Sequence, residues 1–307
     1  MNKLAQVYLA ELAARGRSLS WRKNSSAAVE SLAVYLKERD QINDWREVRA
    51  EHLDGFALHL RRDHRTRHSQ LLKTSTVNRM LSLVRSFFEW QHRRGYLLWN
   101  PAQELASITF EQSLPHVLSE QAMTRLIETP DTAKAVGLRD RALMEVLYAT
   151  GIRHSDAHRL DLYDVDVAAH RLTMRCGKGG RDRVVPLTEN AAFWLSKYLS
   201  KSRGELAARA HKRGQSQPAP SVALWLSNTG RRSPYSSIDQ SIARYAAEAN
   251  VKANVHTFRH SCASRLLRGG ADIRHIQKLL GHRDLSATQI YLHLDVKDIK
   301  RAVAKLR

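Results

Sequence analysis

Four polar side chains near the carboxyl end, His256, Arg259, His282 and Tyr291, sit among apolar residues at helical spacing, where packing gives them no role. Imidazole exchanges a proton near neutral pH, and guanidinium forks two donors onto a planar anion such as phosphate or carboxylate. A phenolic oxygen can attack and form a covalent intermediate. Taken singly, each also has a structural reading: the tyrosine as an amphipathic core filler, the arginine and histidine as a solvated pair. His256 and His260 stand at i and i+4, a zinc-ligand spacing. Between them, however, Thr257, Phe258 and Arg259 supply no general base, and the arginine would repel the ion.

The elements that must position these groups follow from the stretch NVHTFRHSCASRLLRGGADIRHIQKLLGHRDLSATQIYLHL, residues 254–294. Ala263, Leu266 and Leu267, then Ile273, Ile276, Leu279 and Leu280, predict two short helices broken at Gly269-Gly270. His256 and Arg259 lie one turn apart on one helix face. Gly281 caps the second helix and leaves His282 at the start of a loop, after which Ser286 caps a last helix carrying Tyr291. The tail LDVKDIKRAVAKLR is a basic amphipathic helix with Val296, Ile299, Val303 and Leu306 on one face. That face can pack on its own domain or on another protomer.

Upstream, Ser119-Glu120 opens an amphipathic run through Met123, Leu126 and Ile127, and a buried helix, RDRALMEVLYATG, stops at Gly151. Arg153 and Ser155 follow that stop; an arginine there ordinarily serves the terminal carbonyls of the helix it follows. Strands are predicted around Val165 and Val167, over 171–176 and over 183–187, with GKGGRD as a tight hairpin holding Lys178 at its tip. A lysine at such a tip is usually a solubilising charge, but its flexible stem can also carry a proton to a leaving-group oxygen. Trp194, Leu195, Tyr198 and Leu199 mark a helix, and RGELAARAHKRGQSQPAPS (203–221) reads as an exposed loop, mobile without DNA. Apolar patterning returns at Ala223-Leu224-Trp225-Leu226 and in a helix through Ile238, Ile242, Tyr245 and Ala246.

Residues 1–108 read as helices throughout, marked by Leu4, Val7, Tyr8 and Leu12, by Val29, Leu32, Tyr35 and Leu36, by Leu53, Phe56 and Leu60, and by Val77, Met80, Leu81, Val84, Phe87 and Phe88. Between the third and fourth, Arg61, Arg62, Arg65, Arg67 and Lys73 form a basic run beside Ser69, Thr74, Ser75 and Thr76, which suits contact with a DNA backbone as well as it suits a solvated surface. Around Pro115 the periodicity lapses, so 109–117 reads as a linker and 118–307 as a second domain.

Across 307 residues, 50 Lys+Arg face 30 Asp+Glu, giving a formal net charge of +20 and a pI near 10.4. A polyanionic partner is expected. Nucleic acid is preferred over membrane, because no stretch approaches the roughly 18 to 20 apolar residues a span needs. The N-terminus lacks a signal-peptide pattern, so an intracellular, cytoplasmic chain is expected. Cys176 and Cys262 are too few for a disulfide framework or a cysteine zinc site, and GKGG lacks the spacing of a nucleotide-binding loop.

His-x-x-Arg, then Leu-Gly-His, then Tyr nine residues on, together with YATGIRHSDAHRLDLYDVD and the GKG-x-(K/R)-x-R-x-VPL pattern, resemble the tyrosine recombinases. These are the integrase family of DNA breaking and rejoining enzymes, and within it the chain resembles the bacterial Xer-like members. The resemblance implies a mainly α fold with a small antiparallel β-sheet: an N-terminal helical SAM-like core-binding domain, then an α+β catalytic domain. It implies Tyr291 as nucleophile on a DNA phosphodiester, Arg153 and Arg259 as its phosphate clamp, Lys178 as general acid, and His256 and His282 as helpers in positioning and proton movement. Asp156 stands where the family pattern has Glu. It further implies no cofactor and no metal, a specific duplex site, nucleoid association, a tetramer on DNA coupled by the tail, and room for a second recombinase as partner. A non-catalytic DNA-binding protein and a type IB topoisomerase, which shares the phosphotyrosine chemistry, remain as alternatives.

Overall fold

The computed structural model describes residues 1–64, 70–109, 115–175, 182–210 and 221–281. The chain divides into two compact units, Met1–Gln112 and Ser113–Arg307.

The first unit is helical: α1 (Asn2–Ala14), α2 (Leu19–Arg39), α3 (Ala50–Arg62) and α4 (Thr74–Arg93). Ser18 caps α2 by accepting from the Trp21 amide at 3.2 Å. On α3, Leu53, Phe56 and Leu60 recur at three- and four-residue steps and are wholly buried. Phe87 and Phe88 of α4 close the core, and Trp45 meets Phe87 edge to face with centroids 4.9 Å apart. Each such ring contributes roughly 1.5 to 3 kcal/mol through burial. Arg61 and Arg62, at the end of α3, and Lys73, just before α4, are exposed; Arg65 and Arg67 lie outside the described residues.

Glu11 ties α1 to the end of α4. Its carboxylate accepts from Trp90 Nε1 at 2.8 Å and pairs with Arg94 Nη2 at 2.7 Å and with Arg15. The Arg94 bond, helped by Trp90, holds its pKa down at about 2. A carboxyl whose folded pKa is depressed stabilises the fold above its ordinary pKa of 4.5 and loses that contribution as pH falls toward 2. Glu11→Gln is therefore expected to lower the melting temperature of the first unit at neutral pH, with the gap from wild type closing between about pH 4.5 and 2. Melting curves showing the same gap at both ends of that range would contradict the assignment.

In the second unit α5 (Glu120–Glu128) begins at Ser119, which accepts from the Ala122 amide. Then come α6 (Ala135–Thr150), α7 (His154–Arg159) and a three-stranded antiparallel sheet in the order β1 (Val165–Asp166), β2 (Arg171–Met174), β3 (Arg183–Pro186). Leu172 faces Val185 across the β2–β3 ladder, and both are wholly buried. The chain continues with α8 (Glu189–Lys197), a π turn over Tyr198–Ser202, α9 (Arg203–Ala208), α10 (Tyr235–Glu248), α11 (Val255–Arg268) and α12 (Ile273–Leu280). The molecule is mainly α with a small antiparallel sheet, as expected.

Helix α6 is the axis of this unit, buried around most of its circumference and packed against α8 and α11. Its polar residues Arg139, Asp140, Arg141 and Glu145 are buried with the rest of the helix. Arg139 donates to Asp140 Oδ1 at 2.8 Å and to the Leu226 carbonyl at 2.6 Å, and Asp140 Oδ2 accepts from the Tyr245 hydroxyl at 3.1 Å. These bonds fasten the 223–226 segment and α10 to α6. The expectation of a loop over 203–221 is corrected at its start. Residues 203–208 are helical because Leu206 is fully buried and Arg203 donates to the Ser221 and Ala223 carbonyls. Residues 211–220 lie outside the described residues. None of the described helices is long and apolar enough to cross a membrane.

Candidate active site

Two helices end at the same place. Gly151 closes α6 at φ 58° and Gly281 closes α12 at φ 67°, both left-handed, where a side chain would be strained. A Cβ on Gly151 would stand 2.6 Å from Leu280 Cδ2 and 3.3 Å from Cys262 Sγ. Glycine is therefore what lets the end of α6 press against α11 and α12. Cys262 is buried, with its thiol pushed up to about 11 by desolvation. Burial thus keeps the thiol protonated; Cys176 lies outside the described residues.

Arg259 enters this junction from α11. Asn254 sets the register of that helix: its side chain accepts from the Thr257 amide at 3.1 Å while Thr257 Oγ1 accepts from the Asn254 amide at 3.1 Å. Arg259 is 5% exposed and donates from Nη1 to the Gly151 carbonyl at 2.7 Å and from Nη2 to the Leu280 carbonyl at 3.0 Å. Both acceptors belong to helix C-termini, whose partial negative charge favours a cation there. One turn earlier, His256 is exposed to solvent, and half-buried His260 is held below the usual histidine pKa, chiefly by burial.

Arg153 arrives from the other side, as the residue that precedes α7. Its Nη2 donates to the Gly281 carbonyl at 2.5 Å, and its side chain keeps 39% of its surface exposed. The ordinary role of an arginine at this position is to serve the carbonyls of the helix it follows. Instead, Arg259 takes the α6 carbonyl and Arg153 takes that of α12. The two guanidiniums thus sit on adjacent carbonyls, Leu280 and Gly281, although 106 residues separate them in the chain. Among the described residues no cluster of three His, Cys, Asp or Glu side chains could hold a metal ion.

Asp156, noted in the sequence as standing where the family pattern has Glu, has two neighbours to which the sequence gave no role in the site, Arg183 and His154. Asp156 Oδ1 accepts from Arg159 at 2.9 Å and Oδ2 from Arg183 at 3.2 Å, while Arg153 Nη1 stands 4.0 Å from Oδ2. Arg183 belongs to the GKG-to-VPL motif, and that motif was the available signal. His154, next to Arg153, is buried, stacks on Tyr235 with centroids 3.6 Å apart and places Nδ1 3.3 Å from Asp239 Oδ2. Burial, opposed by Asp239, holds its pKa below the usual value. This contact pins α7, and so the start of Arg153, to α10. Nothing in the sequence distinguished His154 from a surface histidine. Lys178, His282 and Tyr291 lie outside the described residues.

The chain is thus a helical unit followed by an α+β unit in which two arginines meet at converging helix ends. The chain belongs to the phage integrase family, the tyrosine recombinases: the Phage integrase family model matches residues 116–298, and the Phage integrase, N-terminal SAM-like domain model matches residues 5–95. Among its relatives, "Tyrosine recombinase XerC" of Pelotomaculum thermopropionicum is 37% identical over 238 residues, covering 77% of this chain and 76% of the relative. "Tyrosine recombinase XerD" of Pseudomonas aeruginosa is 35% identical over 264 residues, covering 85% of each. The fold is shared with XerH site-specific recombinase bound to difH substrate in a pre-cleavage complex, at a TM-score of 0.68 and 18% identity over 98% of this chain and 84% of that one. It is shared also with a lambda integrase tetramer bound to a Holliday junction, at a TM-score of 0.69 and 14% identity over 94% and 76%.

Proposed function

We propose that this chain is a site-specific DNA recombinase of the Xer type that cuts and rejoins strands through a 3′-phosphotyrosyl intermediate. The observation that carries the reading is the convergence of Arg153 and Arg259 on the adjacent carbonyls of Leu280 and Gly281. A guanidinium has five donors, so an arginine anchored by carbonyls still has N–H groups for an anion. Arg153 offers them from its exposed edge. In this reading Tyr291 Oη attacks the scissile phosphorus and forms a P–O bond as the bond to the 5′ oxygen breaks. Lys178 gives the leaving oxygen its proton. Arg153 and Arg259 stabilise the pentacoordinate phosphate, and His256 and His282 hold it and move the tyrosine's proton. The phosphotyrosyl bond conserves the backbone's energy for religation onto a second strand.

The exposed Arg61, Arg62 and Lys73, with Arg65 and Arg67, contact backbone phosphates from the 1–108 domain; the salt dependence of binding measures this. The 118–307 domain carries the chemistry, and the tail couples protomers in a tetramer on two sites, on nucleoid DNA in the cytoplasm. Whether a second recombinase shares the site is decided by whether this chain alone completes exchange. The reading is tested by capturing DNA covalently on the wild-type chain and sequencing it. Adducts should concentrate at one short site flanked by inverted arms. Adducts at scattered positions, with relaxation of supercoils, would make the chain a type IB topoisomerase, and binding with no adduct would make it a non-catalytic DNA-binding protein.

A further inference from the structure

We propose that Arg183 is a positioning residue for strand cleavage, holding the Asp156 carboxylate away from Arg153 so that Arg153 keeps its charge for the phosphate. The inference rests on the recombinase reading above. Asp156 is placed between three guanidiniums. Its Oδ1 is taken by Arg159 at 2.9 Å, whereas Oδ2 lies 3.2 Å from Arg183 Nη2 and 4.0 Å from Arg153 Nη1. The Asp156 and Arg183 side chains are only 15% and 19% exposed, so water screens their attraction weakly. An arginine fully paired with a carboxylate brings no net charge to a developing phosphorane, and Arg183 is the group that keeps Oδ2 occupied.

Arg183 is itself held in place. A Cβ on Gly281 would stand 2.9 Å from both Cζ and Nη1 of Arg183, so the guanidinium lies flat against the glycine that Arg153 grips by its carbonyl. No larger residue fits beneath it without a shift. Arg183 opens β3, whose register with β2 is fixed by the ladder from Met174↔Arg183 to Arg171↔Pro186. The sheet therefore sets where the Arg183 backbone starts, and its guanidinium reaches from there to Asp156 Oδ2. Losing that guanidinium frees Oδ2 to close on Arg153, where it competes with phosphate.

The test is single-turnover cleavage of a suicide substrate, with DNA affinity and melting temperature measured alongside. Arg183→Gln should cleave about 10- to 100-fold more slowly, less than the loss of a donor that touches the phosphate itself. DNA affinity should stay within about threefold, since most phosphate contacts are untouched. Adding Asp156→Asn to Arg183→Gln should recover most of the lost rate, because the competing charge is gone. A purely structural pair would lose and regain melting temperature together with rate, because the second change removes the carboxylate left unpaired; here the rate should fall and recover while melting temperature changes little. Cleavage by Arg183→Gln within about twofold of wild type, or a double variant no faster than the single one, overturns the proposal. If Arg183→Gln does not fold, Arg183→Lys carries the test; it retains the charge and should cleave within about threefold of wild type, whereas a folded Arg183→Lys slower by tenfold or more overturns it. Absence of any wild-type adduct would count against the recombinase reading instead, so the two failures are distinguishable.

Discussion

Tyr291→Phe is expected to abolish covalent attachment to DNA while leaving binding within about threefold of wild type. The phenyl ring keeps nearly all the apolar area of the side chain, so the fold loses little. What it lacks is the single oxygen that can attack phosphorus in line. Catalysis by the remaining residues needs a nucleophile, and water in its place would leave a hydrolysed strand with no protein attached. The measurement is a suicide substrate, in which cleavage releases a short fragment and traps the adduct, run beside a gel-shift titration. A trapped adduct from the variant would assign the nucleophile to another residue and overturn the proposed chemistry. Loss of binding together with loss of the adduct would give Tyr291 a structural role.

Arg259→Ala is expected to remove two things at once. Without its guanidinium, the phosphate loses a transition-state donor, which typically costs roughly 100- to 1,000-fold in rate. The Gly151 and Leu280 carbonyls also lose their buried partner, and an unsatisfied buried acceptor costs about 1 to 3 kcal/mol each. Melting temperature and cleavage should therefore fall together. Arg153→Ala separates the effects: its side chain is 39% exposed, so cleavage should fall by a similar factor with a much smaller drop in melting temperature. Arg259→Lys should remain well below wild type, because an ammonium on one stem cannot serve two carbonyls and a phosphate as a planar fork does. Equal melting losses in the two alanine variants would contradict the buried and exposed geometries assigned to them.

Much of this arrangement could be read from the chain in order. The period of Leu53, Phe56 and Leu60, the caps at Ser18, Ser119 and Asn254, and the glycine stops at Gly151 and Gly281 all act over one or two turns. They are therefore written locally. Alternation over 171–174 and 183–186 did the same for the sheet. The motif residues identified the chemistry because their types and spacing suit few other purposes in combination. The reading failed at 203–208, where composition suggested a loop but the burial of Leu206 and the bonds of Arg203 to a segment some twenty residues away made a helix.

By itself, then, the sequence determined the helices, the strands and the family, because these depend on side-chain type and on neighbours a few positions off. Tertiary structure alone decided which carbonyl each arginine takes, that Asp156 leans to Arg183 more than to Arg153, and that His154 is buried against Tyr235. The hydrogen bonds among them join residues 21 to 128 positions apart. Their geometry comes from how α6, α11, α12 and the sheet pack, and no local pattern records it.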